Sequence, residues 1–190
     1  HGTPGADESV PLLPALDGDV AGADSYGEAK AACEQACVEQ FVDRLLAARC
    51  GLIGAYGDRS DRFGSWPARF ARAARDGGAV LVPDEPDLPT QTIDVRDLAE
   101  WLVRAGEAGT TGAMNTVGAQ HSFDEVLQAA REASGAQGVE VTTLPSAWLR
   151  AQEVEEYMGP RSLPLWIVEP GWEGFSSRNG TKALAAGLTH

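Results

Sequence analysis

Short apolar runs and amphipathic stripes alternate along most of this sequence. Buried strands are predicted by short, mostly apolar runs at residues 49–54, 79–82, 91–93, 113–117 and 139–142. Apolar residues at helical spacing predict helices over residues 66–76, 95–105, 123–134, 145–156 and 181–186. Strands that alternate with helices in this way predict an α/β fold.

The segments between these elements have a different composition. Asp94 and Ser122 are good N-cap residues for the helices that follow them. Residues 1–23 are rich in proline, glycine and aspartate and predict a surface loop. Trp166 and Trp172 lie in an irregular tail, where they either cover the core or line a pocket, and core packing is the commoner use of tryptophan.

One further helix opens with a tyrosine and a lysine. Its cap is Asp24 or Ser25, and alanines and leucines carry it to Arg49. Tyr26 and Lys30 are four residues apart, so they share one face of this helix. An ammonium group one turn from a phenol favours the phenolate, which makes an acid–base pair. The alternative is a packed tyrosine beside a solvated lysine, and the pair alone favours neither interpretation.

Composition and charge limit the classes of partner and of site. Of the 190 residues, 43% are hydrophobic and 23% are charged, as in one soluble globular domain. The net charge of −13 argues against nucleic acid or an anionic membrane as a partner. No apolar run is long enough to span a bilayer. Three cysteines and three scattered histidines predict reduced thiols, a cytoplasmic location and no metal site.

Five motifs follow one another in a specific order. They are an acidic–proline stretch at 7–12, the Tyr-x-x-x-Lys pair at 26–30, a strand and loop at 49–54, the stretch 92–99, and an Asn-containing strand at 112–118. In this order the motifs resemble the extended short-chain dehydrogenase/reductases, the NAD(P)-dependent epimerase/dehydratase family. Cys50 stands where that family usually has proline. The ordered set is more specific than any single motif.

The resemblance implies the back part of a Rossmann-type parallel sheet with a smaller α+β substrate-binding region. Residues 1–57 and 94–118 would form the C-terminal part of the Rossmann domain, and residues 58–93 and 119–190 the substrate-binding region. No Gly-x-x-Gly-x-x-Gly turn follows a strand, and the family's catalytic Ser/Thr would fall before His1. The chain is therefore expected to lack the N-terminal, cofactor-binding half of such an enzyme.

The resemblance also implies roles for individual residues. Tyr26 is the expected general acid/base, and Lys30 would assist it electrostatically and bind the nicotinamide ribose. Cys50, Gly51 and Leu52 would pass near the nicotinamide, so all five residues are expected cofactor contacts. The expected cofactor is NAD or NADP. The sequence leaves the choice between them open, because the residue that distinguishes the two belongs to the half that this chain is expected to lack.

The substrate is expected to be a small molecule with little charge. Nucleotide-sugar members of the family carry an arginine where this chain has Thr90, which offers a phosphate neither charge nor a bidentate fork. Arg62 or Arg59 could replace that arginine, although a solvated arginine is the commoner outcome. This favours a reductase or dehydrogenase over a sugar-nucleotide epimerase. The expected substrate-binding residues are Arg62, Phe63, Trp66 and Gln91.

Two classes of function follow from these motifs. The first is an NAD(P)-dependent oxidoreductase, of reductase/dehydrogenase or epimerase/dehydratase type, that acts on a carbonyl or hydroxyl group. The second is a non-catalytic NAD(P)-binding or regulatory module, or an incomplete fragment of such an enzyme that is inactive alone. Lysine occurs only at Lys30 and Lys182, and its use beside Tyr26, where arginine serves elsewhere, argues for the enzyme. A homodimer is an expectation of the resemblance alone.

Overall fold

A computed structural model describes residues 2–189 of the chain. The helices are α1 (Tyr26–Phe41), α2 (Ser65–Asp76), α3 (Val95–Glu107), α4 (Phe123–Ala133), α5 (Ser146–Ala151) and α6 (Thr181–Ala185). The strands are β1 (Leu46–Cys50), β2 (Leu52–Gly54), β3 (Ala79–Pro83), β4 (Pro89–Asp94), β5 (Gly112–Thr116), β6 (Gln120–Ser122), β7 (Glu140–Leu144), β8 (Glu155–Glu156) and β9 (Ser162–Leu163). Short 3₁₀ turns lie at Ala23–Ser25 and Val42–Arg44.

The strands pair mainly in parallel. β1 pairs with β5, from Leu46 opposite Gly112 to Cys50 opposite Thr116. β2 pairs with β4, and β3 with β7, also in parallel, whereas β6 joins β4 in the antiparallel sense. Parallel pairs whose strands are separated by helices confirm the predicted α/β class and its Rossmann-type parallel sheet.

Two glycines lie where the chain passes from one sheet to another. Gly51 separates β1 from β2, and its N–H donates to the carbonyl of Thr116 at 3.3 Å. Gly118 follows β5, and a Cβ at this position would overlap the carbonyl oxygen of Thr92. Only glycine therefore fits at position 118. The single strand predicted over residues 49–54 is in fact two strands with different partners.

Two helices end earlier than the sequence predicts. α1 stops at Phe41 instead of Arg49, because Val42 has a φ of 50° and the residues from Leu46 onward pair with β5. α5 stops at Ala151 instead of residue 156, because Glu155 and Glu156 form β8. In both places pairing with a strand elsewhere in the chain replaces the last helical turns. β6, β8 and β9 have no counterpart among the predicted strands.

The hydrophobic core has two parts. The larger part includes α2 and α4 with β3 and β7, and its most buried side chains are Trp66, Phe70, Phe123, Leu149 and Trp166. The smaller part holds α3 and α6 against β5, through residues such as Trp101, Met114 and Ala183. Among residues 2–189, no helix is long and apolar enough to cross a membrane.

Candidate active site

Tyr26 and Lys30 lie at the N-terminal end of α1. The Tyr26 side chain is 69% exposed, and Lys30 is exposed one turn further along the helix. Within the described residues, the Tyr26 hydroxyl and the Lys30 ammonium form no hydrogen bond or ion pair. The structure therefore presents both groups to solvent on one face of α1, where a ligand can reach them.

Polar contacts fix α1 to its neighbours. Glu34, one turn after Lys30, accepts hydrogen bonds from Nη2 of Arg49 at 2.6 Å and from its Nε at 3.1 Å. Arg49 belongs to β1 and immediately precedes Cys50. The carbonyl of Glu28 also accepts the N–H of Leu16, at 3.0 Å. These bonds hold the Tyr26 helix beside the carboxyl end of β1.

The other predicted cofactor residues lie where β1 gives way to β2. Cys50 is exposed, and its sulfur accepts a hydrogen bond from the Thr116 hydroxyl at 3.2 Å. Gly51 is exposed, whereas Leu52 is half-buried and packs against the larger core cluster. Ligands of parallel α/β sheets bind outside the carboxyl ends of the strands, which is the place that Cys50 and Gly51 occupy.

A second tyrosine, which sequence reasoning missed, lies close to Tyr26. Tyr157 follows β8 with a φ of 65°, in the left-handed region that non-glycine residues rarely adopt. Burial raises the pKa of Tyr157, the charge of Arg62 opposes this shift, and the Tyr26 phenol adds to it. The tail thus brings a half-buried phenol within electrostatic reach of Tyr26. Nothing periodic in the sequence around Tyr157 signals this placement.

Arg62 belongs to the same cluster. Its guanidinium carbon lies 4.9 Å from the centre of the Tyr157 ring, and its Nε donates to the Ser60 hydroxyl at 2.9 Å. Asp58 anchors the loop by accepting the N–H of Ser60 at 2.8 Å, and hydrogen bonds from Ser60 lower the pKa of Asp58. Arg62 is therefore held over an aromatic ring rather than solvated, whereas Arg59 is exposed.

Trp66 lies in the core, not at a surface that a ligand can reach. Its side chain is 1% exposed, and its indole N–H donates to the carbonyl of Pro164 at 2.8 Å. Its ring packs edge-on against Phe123, with centroids 5.4 Å apart. The spacing of Trp66 and Phe70 along α2 is the signal of a core stripe, and it outweighs the proximity of Trp66 to the polar loop.

Gln91 and Phe63 also have structural partners. The Gln91 side chain is buried and exchanges two hydrogen bonds with the backbone of Arg178, at 2.9 and 3.0 Å, which fixes the tail to β4. Phe63 is partly exposed, and its ring lies so close to Gly54 that a Cβ there would come within 2.6 Å of it. Of the four predicted substrate residues, Arg62 is the one that contacts Tyr157, the tyrosine that Tyr26 influences electrostatically.

A cavity of about 450 Å³ adjoins this cluster. It lies between the N-terminal segment, the start of β4 and the tail. Its apolar lining includes Leu88, Leu165, Ile167, Val168, Trp172 and Phe175. Phe175 also packs edge-on against Tyr157, with ring centroids 5.2 Å apart. One aromatic ring thus belongs both to the cavity wall and to the cluster beside Tyr26.

No metal centre is formed by the described residues. In residues 2–189, no group of three or more His, Cys, Asp or Glu side chains could hold a metal ion. The cysteines of α1, Cys33 and Cys37, are exposed free thiols.

Solved structures share this fold, although no protein-family model and no curated protein sequence matches the chain. A protein of Burkholderia cenocepacia that carries an epimerase assignment is 21% identical, with a TM-score of 0.62 over 98% of this chain and 52% of that one. Thermus thermophilus UDP-glucose 4-epimerase, in complex with NAD, is 21% identical, with a TM-score of 0.50 over 93% of this chain and 54% of that one.

A hypothetical dTDP-4-dehydrorhamnose reductase of Sulfolobus tokodaii is 17% identical, with a TM-score of 0.50 over 90% of this chain and 52% of that one. The fold is that of epimerase and reductase structures. The chain spans about half the length of each of these proteins. At such identities the likeness shows the fold, and the chemistry of the site has to be argued from the residues themselves.

Proposed function

We propose that the polypeptide containing these residues is an NAD(P)-dependent oxidoreductase of the extended short-chain dehydrogenase/reductase type. Its substrate is a small molecule with a carbonyl or hydroxyl group. The observation that carries the proposal is the exposed pair of Tyr26 and Lys30 on one face of α1. The fold shared with epimerases and reductases supports it, as does the NAD complex of the Thermus thermophilus enzyme.

The residues of this chain fit one end of the proposed cofactor. The Lys30 ammonium and the Tyr26 hydroxyl are exposed donors for ribose hydroxyls, and Cys50 and Gly51 offer exposed backbone at the carboxyl end of β1. Leu52 is half-buried next to them, and its side chain would contact the nicotinamide ring. Residues 2–189 contain no Gly-x-x-Gly-x-x-Gly turn after a strand, so the pyrophosphate requires other groups.

Tyr26 moves the proton in the proposed reaction. The cofactor, when bound, supplies or accepts the hydride. In reduction, the Tyr26 hydroxyl donates its proton to the substrate oxygen as the carbonyl becomes a hydroxyl. In oxidation, the phenolate takes the proton back. The Lys30 charge, one helical turn away, stabilises the phenolate in both directions.

We assign the two halves of the site to different parts of the chain. Residues 1–57 and 94–118 carry the cofactor contacts, and residues 58–93 and 119–190 carry the substrate contacts; His1 and His190 lie outside the described residues. The cluster of Arg62, Tyr157 and Phe175, drawn from the second set, supports this division. Phe63 belongs to the same loop as Arg62. Trp66 and Gln91 would act indirectly, since each holds part of the tail through a hydrogen bond to its backbone.

The test is a Tyr26→Phe substitution in the longest natural polypeptide that contains these residues. We expect NAD(P)H consumption with a panel of aldehydes and ketones to fall by about 10²-fold or more, because the proton donor is gone. Tyr56→Phe is the matched control, since Tyr56 is fully exposed. Unchanged turnover in the Tyr26→Phe variant would refute the acid/base role.

A non-catalytic module that binds NAD(P) for regulation is the second candidate. It is favoured by the exposed hydroxyl of Tyr26, which no described side chain positions for proton transfer through a hydrogen bond. Cofactor binding measured by calorimetry, without turnover of any compound in the panel, would favour this module over the enzyme. Absence of cofactor binding would remove both candidates.

A further inference from the structure

We propose that the 450 Å³ cavity beside Phe175 binds an uncharged, mostly apolar organic compound, and, resting on the proposed function, that this compound is the carbonyl substrate. The volume lies within the range of small-molecule sites, about 300–1,000 Å³. Side chains such as Leu165, Ile167 and Trp172 line it. Such a lining favours a compound that gains by leaving water.

The charged groups of the cavity all carry the same sign. Glu169 and Glu173 contribute carboxylates, and among the described lining residues there is no lysine, arginine or histidine. The backbone N–H of Gly171 donates to Glu173 at 3.1 Å, and backbone hydrogen bonds lower the pKa of Glu173. Glu173 is therefore ionised at neutral pH. Arg178 follows the lining residue Ser177 but is not itself a lining residue.

An anionic substrate would meet repulsion in this cavity. Its charge would add to two carboxylates and to the net charge of −13 of the chain. Arg62, the cation of the aromatic cluster, already contacts the Tyr157 ring and donates a hydrogen bond to Ser60. A nucleotide diphosphate would therefore find no basic partner among the lining residues, whereas a neutral ketone would need none.

Aromatic rings connect the cavity to the proposed proton donor. Trp172 and Phe175 line the cavity, with ring centroids 5.4 Å apart. Phe175 packs on Tyr157, and Tyr157 is close enough to Tyr26 for the Tyr26 phenol to influence it. We place the apolar part of the compound in the cavity against Phe175 and its polar end on the side of Tyr157.

The experiment compares two probes of nearly the same shape, with the same polypeptide that is used for the turnover test. Fluorine NMR follows the binding of para-fluoroacetophenone, which is neutral, and para-acetylbenzoate competes as its anionic counterpart. We expect saturable binding of the ketone and about tenfold or more weaker binding of the carboxylate. Glu169→Lys should narrow that difference by strengthening the binding of the carboxylate. Equal binding of the two probes, or binding of neither, would overturn the inference.

A second substitution locates the bound probe. Gln120 is an exposed lining residue of β6, and Gln120→Trp should fill the cavity mouth and weaken the ketone about tenfold or more. His121→Trp, at the next position on the opposite face of the strand, is the matched control. Thermal unfolding would check that both variants are folded. Ketone binding that survives Gln120→Trp would place the probe elsewhere and refute the inference.

The binding measurement needs neither cofactor nor turnover, so it tests the cavity independently of the proposed function. A cavity that rejects the ketone, combined with a large loss of turnover in Tyr26→Phe, would overturn only the present inference. A cavity that binds the ketone, combined with normal turnover in Tyr26→Phe, would overturn only the acid/base role.

Discussion

α1 and α4 are held to the molecule in different ways. α4 directs Phe123, Leu127 and Ala130 into the larger core, and a capping box between Ser122 and Glu125 closes its N-terminus. α1 has 16 residues, of which only Ala31 is buried, and no side chain caps its first turn. Ion pairing and backbone contacts fix α1, whereas apolar burial fixes α4.

The difference separates stability from function. A helix with no apolar stripe gains little from burial and depends on a few polar contacts. α1 is such a helix, and it carries Tyr26 and Lys30, the candidate catalytic pair. Segments that meet ligands are commonly drawn from the less stable parts of a protein. The comparison therefore predicts that identical substitutions have unequal effects on the two helices.

The largest effect is expected from removing an aromatic ring in α4. Phe123→Ala should lower the free energy of unfolding by roughly 3–5 kcal/mol, because it leaves a cavity against Trp66. Phe41→Ala, at the end of α1, removes a ring that is 44% exposed and should cost less than about 1 kcal/mol. Urea unfolding measures both variants. Equal losses would mean that α1 is as well packed as α4.

The next largest loss of stability is expected at Gly118, where the chain passes from β5 to β6. Gly118→Ala should cost roughly 2–3 kcal/mol, because the new Cβ would press on the carbonyl of Thr92 and the backbone must shift. Gly106→Ala, in α3, meets nothing within 4 Å and should be neutral or stabilising by up to about 1 kcal/mol. The same urea titration distinguishes them. Unchanged stability of Gly118→Ala would show that the backbone at residue 118 can move away from Thr92 of β4 at little cost.

A smaller effect is expected from the ion pair that holds α1. Glu34→Ala removes the three hydrogen bonds that this carboxylate accepts from Arg49 and should cost about 1–2 kcal/mol. Hydrogen exchange should then quicken in α1 while α4 is unchanged. Glu39→Ala is the control, since Glu39 is exposed and bonds only to Gln35 among the described residues. Exchange that quickens equally in both helices would indicate global destabilisation.

Local patterns were enough to predict the elements that face the core. α2, α3 and α4 each place apolar side chains at helical spacing, and the structure contains these helices close to their predicted bounds. The end of α1 could not be predicted in this way, because Arg49 of β1 pairs with Asn115 far along the chain. Local composition at residues 42–49 suits a helix, and the distant strand decides otherwise.

The candidate site also has one part that local sequence predicts and one part that it does not. The common face of Tyr26 and Lys30 follows from their spacing alone. The approach of Tyr157 and Phe175 does not, since both lie in an irregular tail whose path depends on contacts such as that between Gln91 and Arg178. The resemblance predicts Gln91 as a substrate contact, and the structure adds that its buried amide fixes the tail to β4.

The smallest change in stability is expected from the N-cap of α3, a feature that α1 does not have. Asp94 accepts the N–H of Arg96 at 2.8 Å and pairs with its guanidinium, and these hydrogen bonds lower the pKa of Asp94 to about 2 from 3.8. Because the folded pKa is the lower one, the stabilisation is complete above pH 3.8 and is lost as the pH falls through about 2.

Asp94→Asn keeps a capping oxygen but cannot ionise. The melting temperature of the natural chain should therefore exceed that of the variant by a few degrees near neutral pH, and the gap should close as the pH falls from 3.8 towards 2. Asp24→Asn, in the 3₁₀ turn that precedes α1, is the control, since Asp24 forms no hydrogen bond or ion pair within the described residues. A gap that stays constant over this range would mean that the charge of Asp94 contributes nothing to the stability of α3.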